Sequence, residues 1–373
     1  MALKVNTVTL ASVIKEHYET KVPLMIYGAP GIGKSDICCQ VATKIAESQN
    51  KKYINWAETT NIEKLEMIKD PSKYFVFCDQ RISQMDSTDL RGIPNMMNKD
   101  MLETIPMSWI IYFTQPEADG FIFFDEINLA APVVAGSAYQ IIHDRSISDR
   151  KLSKHVFLIA AGNRQTDKAY TFDMPFPLRD RFDEYEVTPS IVEWSEWAYG
   201  KVNNHIIAFL NWKELWLFRV NDKGTDKSST PRGWVRSSRM IGNREIISTD
   251  VEMLMGGSVG EAAAREFQAY VKYFKELDWN MIFKDPKSIA EFSSDKMYAV
   301  AGGLADLYAR TTKKESQDLF EKSVSVIWQM KTDFAIITFR MMQRTNETLF
   351  KDNVKNHKEF VKIAHKFGKF LLD

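Results

Sequence analysis

Residues 23–48 read PLMIYGAPGIGKSDICCQVATKIAES. An apolar run over 23–27 leads without a gap into GAPGIGKS (28–35), which matches GxxxxGK[ST], and a helical pattern follows over 33–47. Strand, glycine-rich turn and helix in that order are the context a phosphate-binding loop requires. Gly28, Gly31 and Gly33 let the backbone wrap closely round phosphate oxygens. The N–H groups of the loop, with Ala29, Pro30 and Ile32 between the glycines, then face the anion at the helix N-terminus. Lys34 is placed to neutralise the β- and γ-phosphates of ATP, and Ser35 to offer its hydroxyl to Mg²⁺. Cys38 and Cys39, on the helix that follows, read as packing residues.

About ninety residues downstream, FIFFDEIN (121–128) reads as a buried strand ending in two carboxylates. Asp125 is the expected holder of the Mg²⁺ shell. Glu126 is the expected residue to orient or deprotonate an attacking water. Further strands are expected at 75–78, 156–161 and 184–187, separated by helical patterns, which is the signature of an α/β sheet with buried parallel strands. After Pro189 strand-like runs nearly vanish and helical spacing takes over, with the polar stretch 221–230 as a loop.

The 373 residues carry 49 basic and 49 acidic side chains, 45% hydrophobic residues and 26% charged ones. Such a chain buries large cores and is neither disordered nor collagen-like, and its neutral balance gives no whole-molecule attraction for nucleic acid. No apolar run approaches the roughly 18 residues of a membrane helix, and the first residues do not read as a signal peptide. Cys38, Cys39 and Cys78 form no CxxC pair, which fits a reducing, cytoplasmic compartment. The six histidines show no zinc-binding spacing.

Taken together, these motifs resemble an AAA+ ATPase of the MoxR-like branch. The resemblance covers about residues 6 to 310. VFLIAAGNRQTD supplies Asn163 at the sensor-1 position. PLRDRFDEYEV (177–187) is similar to the arginine-finger box, with Arg181 the best match and Arg179 the alternative. STPRGW (229–234) resembles the sensor-2 element, with Arg232 as the lid arginine. Residues 79–94 look like the helix-2 insert region, and 143–164 like the hairpin before sensor 1.

The fold implied is a three-layer αβα P-loop core with a parallel sheet over 1–188, holding an insert at 83–118 and a hairpin at 143–154. An all-helical lid over 189–310 and a C-terminal helical extension over 311–373 follow. The resemblance further implies a Mg²⁺-dependent ATP hydrolase working as a homo-oligomeric, usually hexameric, ring. Such a ring remodels a client protein complex in a chaperone-like way with a partner bearing a von Willebrand factor A (VWA) domain.

Three segments bear on what is handled. The methionine-rich insert has polarizable side chains suited to gripping varied surfaces or to filling a local core. The hairpin carries His143, Arg145, Arg150, Lys151 and Lys154, and basic loops can hold phosphate backbones. Residues 353–372 read as an amphipathic helix, with Phe360, Ile363, Ala364, Phe367 and Leu371 opposite a lysine face. A DNA or RNA motor and a nucleotide-gated scaffold therefore stand as alternative readings.

Overall fold

The computed structural model describes residues 2–97, 104–164, 179–221, 227–242 and 249–357. The chain divides into two compact units, Met1–Pro189 and Ser190–Asp373.

The first unit is built on a seven-stranded sheet. Its strands are β1 (Leu3–Val5), β2 (Leu24–Tyr27), β3 (Lys52–Asn55), β4 (Tyr74–Arg81), β7 (Asp119–Asp125), β10 (Val156–Gly162) and β11 (Asp183–Val187), in the order β1-β11-β2-β10-β7-β4-β3. Every pairing in it is parallel. A parallel sheet covered on both faces buries alternate side chains equally, so its central strands become unbroken apolar runs. Residues 119–124 of β7 and all of β10 are buried. Phe75, Phe121 and Phe157 stack edge to face on β4, β7 and β10, with Tyr18 of α1 (Thr7–Thr20) against them. Gly120 has φ +140, and a Cβ there would stand 1.9 Å from the Val76 carbonyl oxygen, so only glycine lets β7 lie this close to β4.

Helix α2 (Lys34–Ser48) follows β2, and α3 (Asn61–Lys69) follows β3. Residues 83–113 break into α4 (Ser87–Arg91), a small hairpin of β5 (Ile93–Pro94) and β6 (Thr104–Ile105), and α5 (Ser108–Phe113). Met85 and Met107 pack on the core whereas Met96 and Met97 are exposed, and Met101 lies outside the described residues. Helix α6 (Pro132–Asp144) returns from β7 and leads into a second hairpin, β8 (Ser146–Ile147) with β9 (Arg150–Lys151).

That hairpin corrects the expected one. His143 and Asp144 are the last residues of α6. Arg145 is not a cation offered to a client, because its guanidinium turns inward and donates to the carbonyls of Ser153 (3.1 Å) and Val156 (2.7 Å). Ile147 and Leu152 anchor the turn in the core.

Among the described residues, the regular elements of the second unit are all helices, apart from an isolated bridge between Arg219 and Ser229. One core runs from Ile191 to Phe350, so the helices before and after residue 310 share it. Phe209, Trp234, Phe267 and Tyr270 form its aromatic centre. The final described helix stops at Asn356, with His357 extended. The expected helix from residue 353 is therefore interrupted, and Phe360, Ile363, Ala364, Phe367 and Leu371 lie outside the described residues. No helix among the described residues is long and apolar enough to cross a membrane.

Candidate functional site

Parallel strands place their C-terminal ends on one edge, where the loops that follow them converge. Here that edge carries the ends of β2, β10, β7 and β4 side by side. The register sets Gly162 opposite Tyr27, Ala160 opposite Phe124 and Arg81 opposite Asp125.

The loop over 28–33 leaves β2 and enters α2 with Gly31 at φ +79 and Gly33, the N-cap, at φ +94. No side chain caps this helix, so its first N–H groups stay available to an anion. Gly28 donates its N–H to the Gly162 carbonyl at 3.2 Å, tying the loop to the end of β10. Lys34 folds back to donate to the carbonyls of Gly28 (2.7 Å) and Ala29 (3.2 Å), so its ammonium sits over the loop. The same ammonium acts on Asp125 at the end of β7.

Asp125 is half-buried. Burial raises its pKa, and Lys34 and the Glu126 N–H, donated at 2.9 Å, pull the other way. Glu126 turns sharply out of the strand at φ +56, a left-handed conformation uncommon outside glycine and often found at functional sites. Its carboxylate accepts from the Ser83 hydroxyl.

Asp79, on β4, is a third carboxylate at this edge. Burial, then repulsion from Asp125, pushes its pKa up to about 6, and its Oδ1 finds no hydrogen-bond partner among the described residues. Asn163 follows β10 and is 8% exposed. Asn128 clamps its backbone at both ends, donating to its carbonyl at 2.7 Å and accepting from its N–H at 3.1 Å.

Sequence reading did not single out Asp79, Ser83 or Asn128. A charged residue breaking straight into the run FVFC is the one signal for Asp79, whereas the other two act through contacts 43 and 35 residues away.

The donor set fits magnesium. Ser35 and Asp125 offer hard oxygen ligands of the kind Mg²⁺ takes with water and phosphate. The orphaned Oδ1 of Asp79 beside them marks a surplus of negative charge that a dication would relieve. When bound, the ion would polarise phosphate oxygens and offset their charge. The thiols supply no competing chemistry: burial pushes Cys39 up to about 11 and Cys38 well above its ordinary value, keeping both protonated.

Arg179 and Arg181 stand apart from this group. They precede β11, whose first residue pairs with Leu24 at the start of β2, so they lie at the opposite edge of the sheet. Crossing β2 alone from that edge takes about 10 Å. Arg179 makes a two-pronged pair with Glu184 at 2.9 and 2.7 Å, and Arg181 donates to His143 at 2.9 Å.

Arg232 belongs to the helical unit, in the helix Pro231–Ile241. Thr230 caps that helix by accepting from the Gly233 N–H at 3.0 Å, and Pro231 fills its first position. Pro231, Gly233 and Trp234 are buried, which fixes the helix start and leaves Arg232 exposed.

Residues 23–182 match the family described as AAA domain (dynein-related subfamily). Among solved structures the chain is similar to Caenorhabditis elegans PCH-2, at 12% identity over 71% of this chain and 66% of that one, with a TM-score of 0.30. The chain thus spans just under two thirds of that protein. It is also similar to a mutant of Thermotoga maritima RuvB (15% identity, 76% and 74% covered, TM-score 0.30). Brucella abortus NtrX in complex with ADP is a third likeness (12%, 95% and 68%, TM-score 0.31). No curated protein matches the chain. The match to the AAA domain family thus falls within the α/β unit that carries the loop, the carboxylates and the parallel sheet.

Proposed function

We propose that this chain is a Mg²⁺-dependent ATPase of the MoxR-like branch that assembles into a ring, with each active site completed by a neighbouring subunit. In this reading residues 28–35 hold the phosphates, and Ser35 and Asp125 hold the metal. Glu126 takes the proton of the attacking water while Asn163 orients it, and Arg232 reaches the γ-phosphate within the same chain. The observation that carries the composite site is the separation of Arg181 from the loop across the sheet. An arginine at the far edge cannot serve its own nucleotide, but it can serve a neighbour's. Arg181 is the better finger because it is the best match to the arginine-finger box, whereas Arg179 is paired with Glu184.

The work done by turnover is remodelling of a client protein complex, with a VWA-domain protein as partner. The resemblance of residues 79–94 and 143–164 to the insert and hairpin of MoxR-like proteins supports this.

The testing experiment is ATPase rate against protein concentration, with and without single-stranded and duplex nucleic acid, at two salt concentrations. A rate that rises with subunit concentration and ignores nucleic acid supports the protein remodeller. Stimulation by nucleic acid that fades with salt moves the function to a nucleic-acid motor, since phosphate contacts release counterions. Biological function retained by Glu126→Gln would leave the scaffold reading. Arg181→Ala subunits that hydrolyse ATP normally on their own would overturn the finger in trans.

A further inference from the structure

The helix Pro231–Ile241 reads PRGWVRSSRMI, with three arginines and no acidic residue. Trp234, Ser237, Ser238 and Ile241 are buried and define its inner face. At about 3.6 residues per turn, Arg232, Arg236 and Arg239 fall opposite as one stripe, and all three are exposed. None of them has a hydrogen bond or ion pair among the described residues. Glu252, on the helix Thr249–Val259 packed beside this one, is engaged by Arg265 at 3.2 Å. Like charges one turn apart repel, and the positive end of the helix dipole adds to that at Arg232. The dipole favours Arg239 alone, in the last turn. The fold therefore carries this cationic face at a cost that an anionic partner would relieve.

We propose that Arg236 and Arg239, with Met240 beside them, dock a carboxylate-rich, partly apolar segment of a partner protein. Met240 is 42% exposed and flanks the stripe, its sulfur 3.9 Å from the Ser258 hydroxyl. Arginine and methionine are enriched where proteins meet, whereas lysine is depleted there. The guanidinium fork also matches a carboxylate in two-pronged fashion. A phosphate backbone is the rival occupant, but it gains nothing from an apolar neighbour, and the neutral chain supplies no wider field to draw it in. The stripe begins at Arg232, which the proposed function gives to the γ-phosphate. At about 1.5 Å per residue, Arg236 and Arg239 lie about 6 and 10 Å further along the same helix. One rigid element then carries nucleotide at its start and the partner at its later turns, so each ligand bears on the other. That the partner is a protein undergoing remodelling rests on the proposed function; the stripe and the chemistry it takes do not.

The test is fluorescence anisotropy with the full chain. The probe is a labelled helical peptide with glutamates along one face and leucines beside them. The same peptide with glutamine for glutamate, and labelled oligo(dT), serve as comparisons. The wild type is expected to bind the acidic peptide and to leave the glutamine version unbound. Arg236→Gln combined with Arg239→Gln is expected to weaken binding about tenfold, as loss of two surface pairs does. Basal ATP hydrolysis should stay unchanged, because neither arginine belongs to the site proposed for turnover. Arg236→Lys keeps the charge but loses the fork, and a loss of about threefold is expected.

No binding by the wild type, equal binding by the double variant, or equal binding of the glutamine peptide would overturn the inference. Oligo(dT) bound more tightly than the acidic peptide, and lost in the same double variant, would give the stripe to phosphate and overturn it as well. A chain that binds the peptide through these arginines but hydrolyses no ATP would refute the proposed function and leave this inference standing.

Discussion

Strand β7 carries an aspartate at each end, and the two sit in opposite surroundings. Asp119, 2% exposed, is met by Lys51 at 2.7 Å, by the Tyr18 hydroxyl at 3.0 Å and by the Gly120 N–H at 2.8 Å. Gln49 in turn donates to the Tyr18 hydroxyl at 2.7 Å. Every demand of that buried carboxylate is answered by the chain itself. At the other end, Asp125 shares its edge with Asp79 and Glu126, and the pKa values of Asp125 and Asp79 are raised, by burial first. Satisfied charge holds a fold together, whereas unsatisfied charge costs stability and persists where a ligand completes it. One edge of the sheet is therefore expected to govern stability and the other turnover.

The largest effect should come from the loop edge. Glu126→Gln keeps the shape and removes the proposed base, so hydrolysis should fall about a thousandfold while ATP binding persists. Single-turnover hydrolysis with a parallel binding assay separates the two, and turnover within a few-fold of wild type would break the contrast. At the other edge, Asp119→Ala leaves Lys51 and Tyr18 without their acceptor. Breaking a buried pair from one side costs about 3–5 kcal/mol. Denaturant unfolding should show that loss, with hydrolysis per folded molecule unchanged. A variant of full stability would mean that Asp119 does not hold this edge.

A smaller effect is expected from Ser83→Ala, which removes the hydroxyl that donates to the Glu126 carboxylate. A hydrogen bond to a charged group is worth about 1.5–3 kcal/mol, but only the part felt in the transition state reaches the rate. A fall in kcat of about fivefold with KM unchanged is expected. A change confined to KM would assign Ser83 to nucleotide binding instead.

The sequence made the turnover edge more legible than the stability edge, for a physical reason. Glycines, a lysine and a serine must be contiguous to wrap a phosphate, so residues 28–35 announce themselves. Asp125 and Asn163 stand out as polar residues ending buried runs. The five central strands are equally plain, because burial on both faces demands unbroken apolar runs. The two strands missed, β1 (LKV) and β3 (KYIN), are the edges of the sheet, short and half-exposed, and a strand with one solvated side needs no such run. Asp119 gives no signal in the sequence, since its partners Tyr18 and Lys51 are 101 and 68 residues away. His143 was read as one of several hairpin cations, and only the approach of α6 to the turn before β11 gives it a specific neighbour.

The smallest effect sharpens the comparison most, because its sign is unusual. Asp79→Asn removes a carboxylate whose charge the nucleotide-free fold does not satisfy, so it should stabilise that form. With the folded pKa near 6 and the ordinary value about 3.9, the folded state binds more protons than the unfolded one between those limits. Stability contributed by the neutral acid is then present at low pH and lost as pH rises through 6. Asparagine should accordingly match the wild type below about pH 4 and exceed it at pH 7.5. The gain is about 1 kcal/mol once partial solvent screening is allowed for. The added protection that Mg²⁺ with a non-hydrolysable ATP analogue gives the wild type should shrink in this variant, because less repulsion remains for the cation to relieve. If Asp79→Asn instead destabilises the nucleotide-free protein at pH 7.5, then Asp79 belongs with Asp119, and the two edges differ less than their hydrogen bonds indicate.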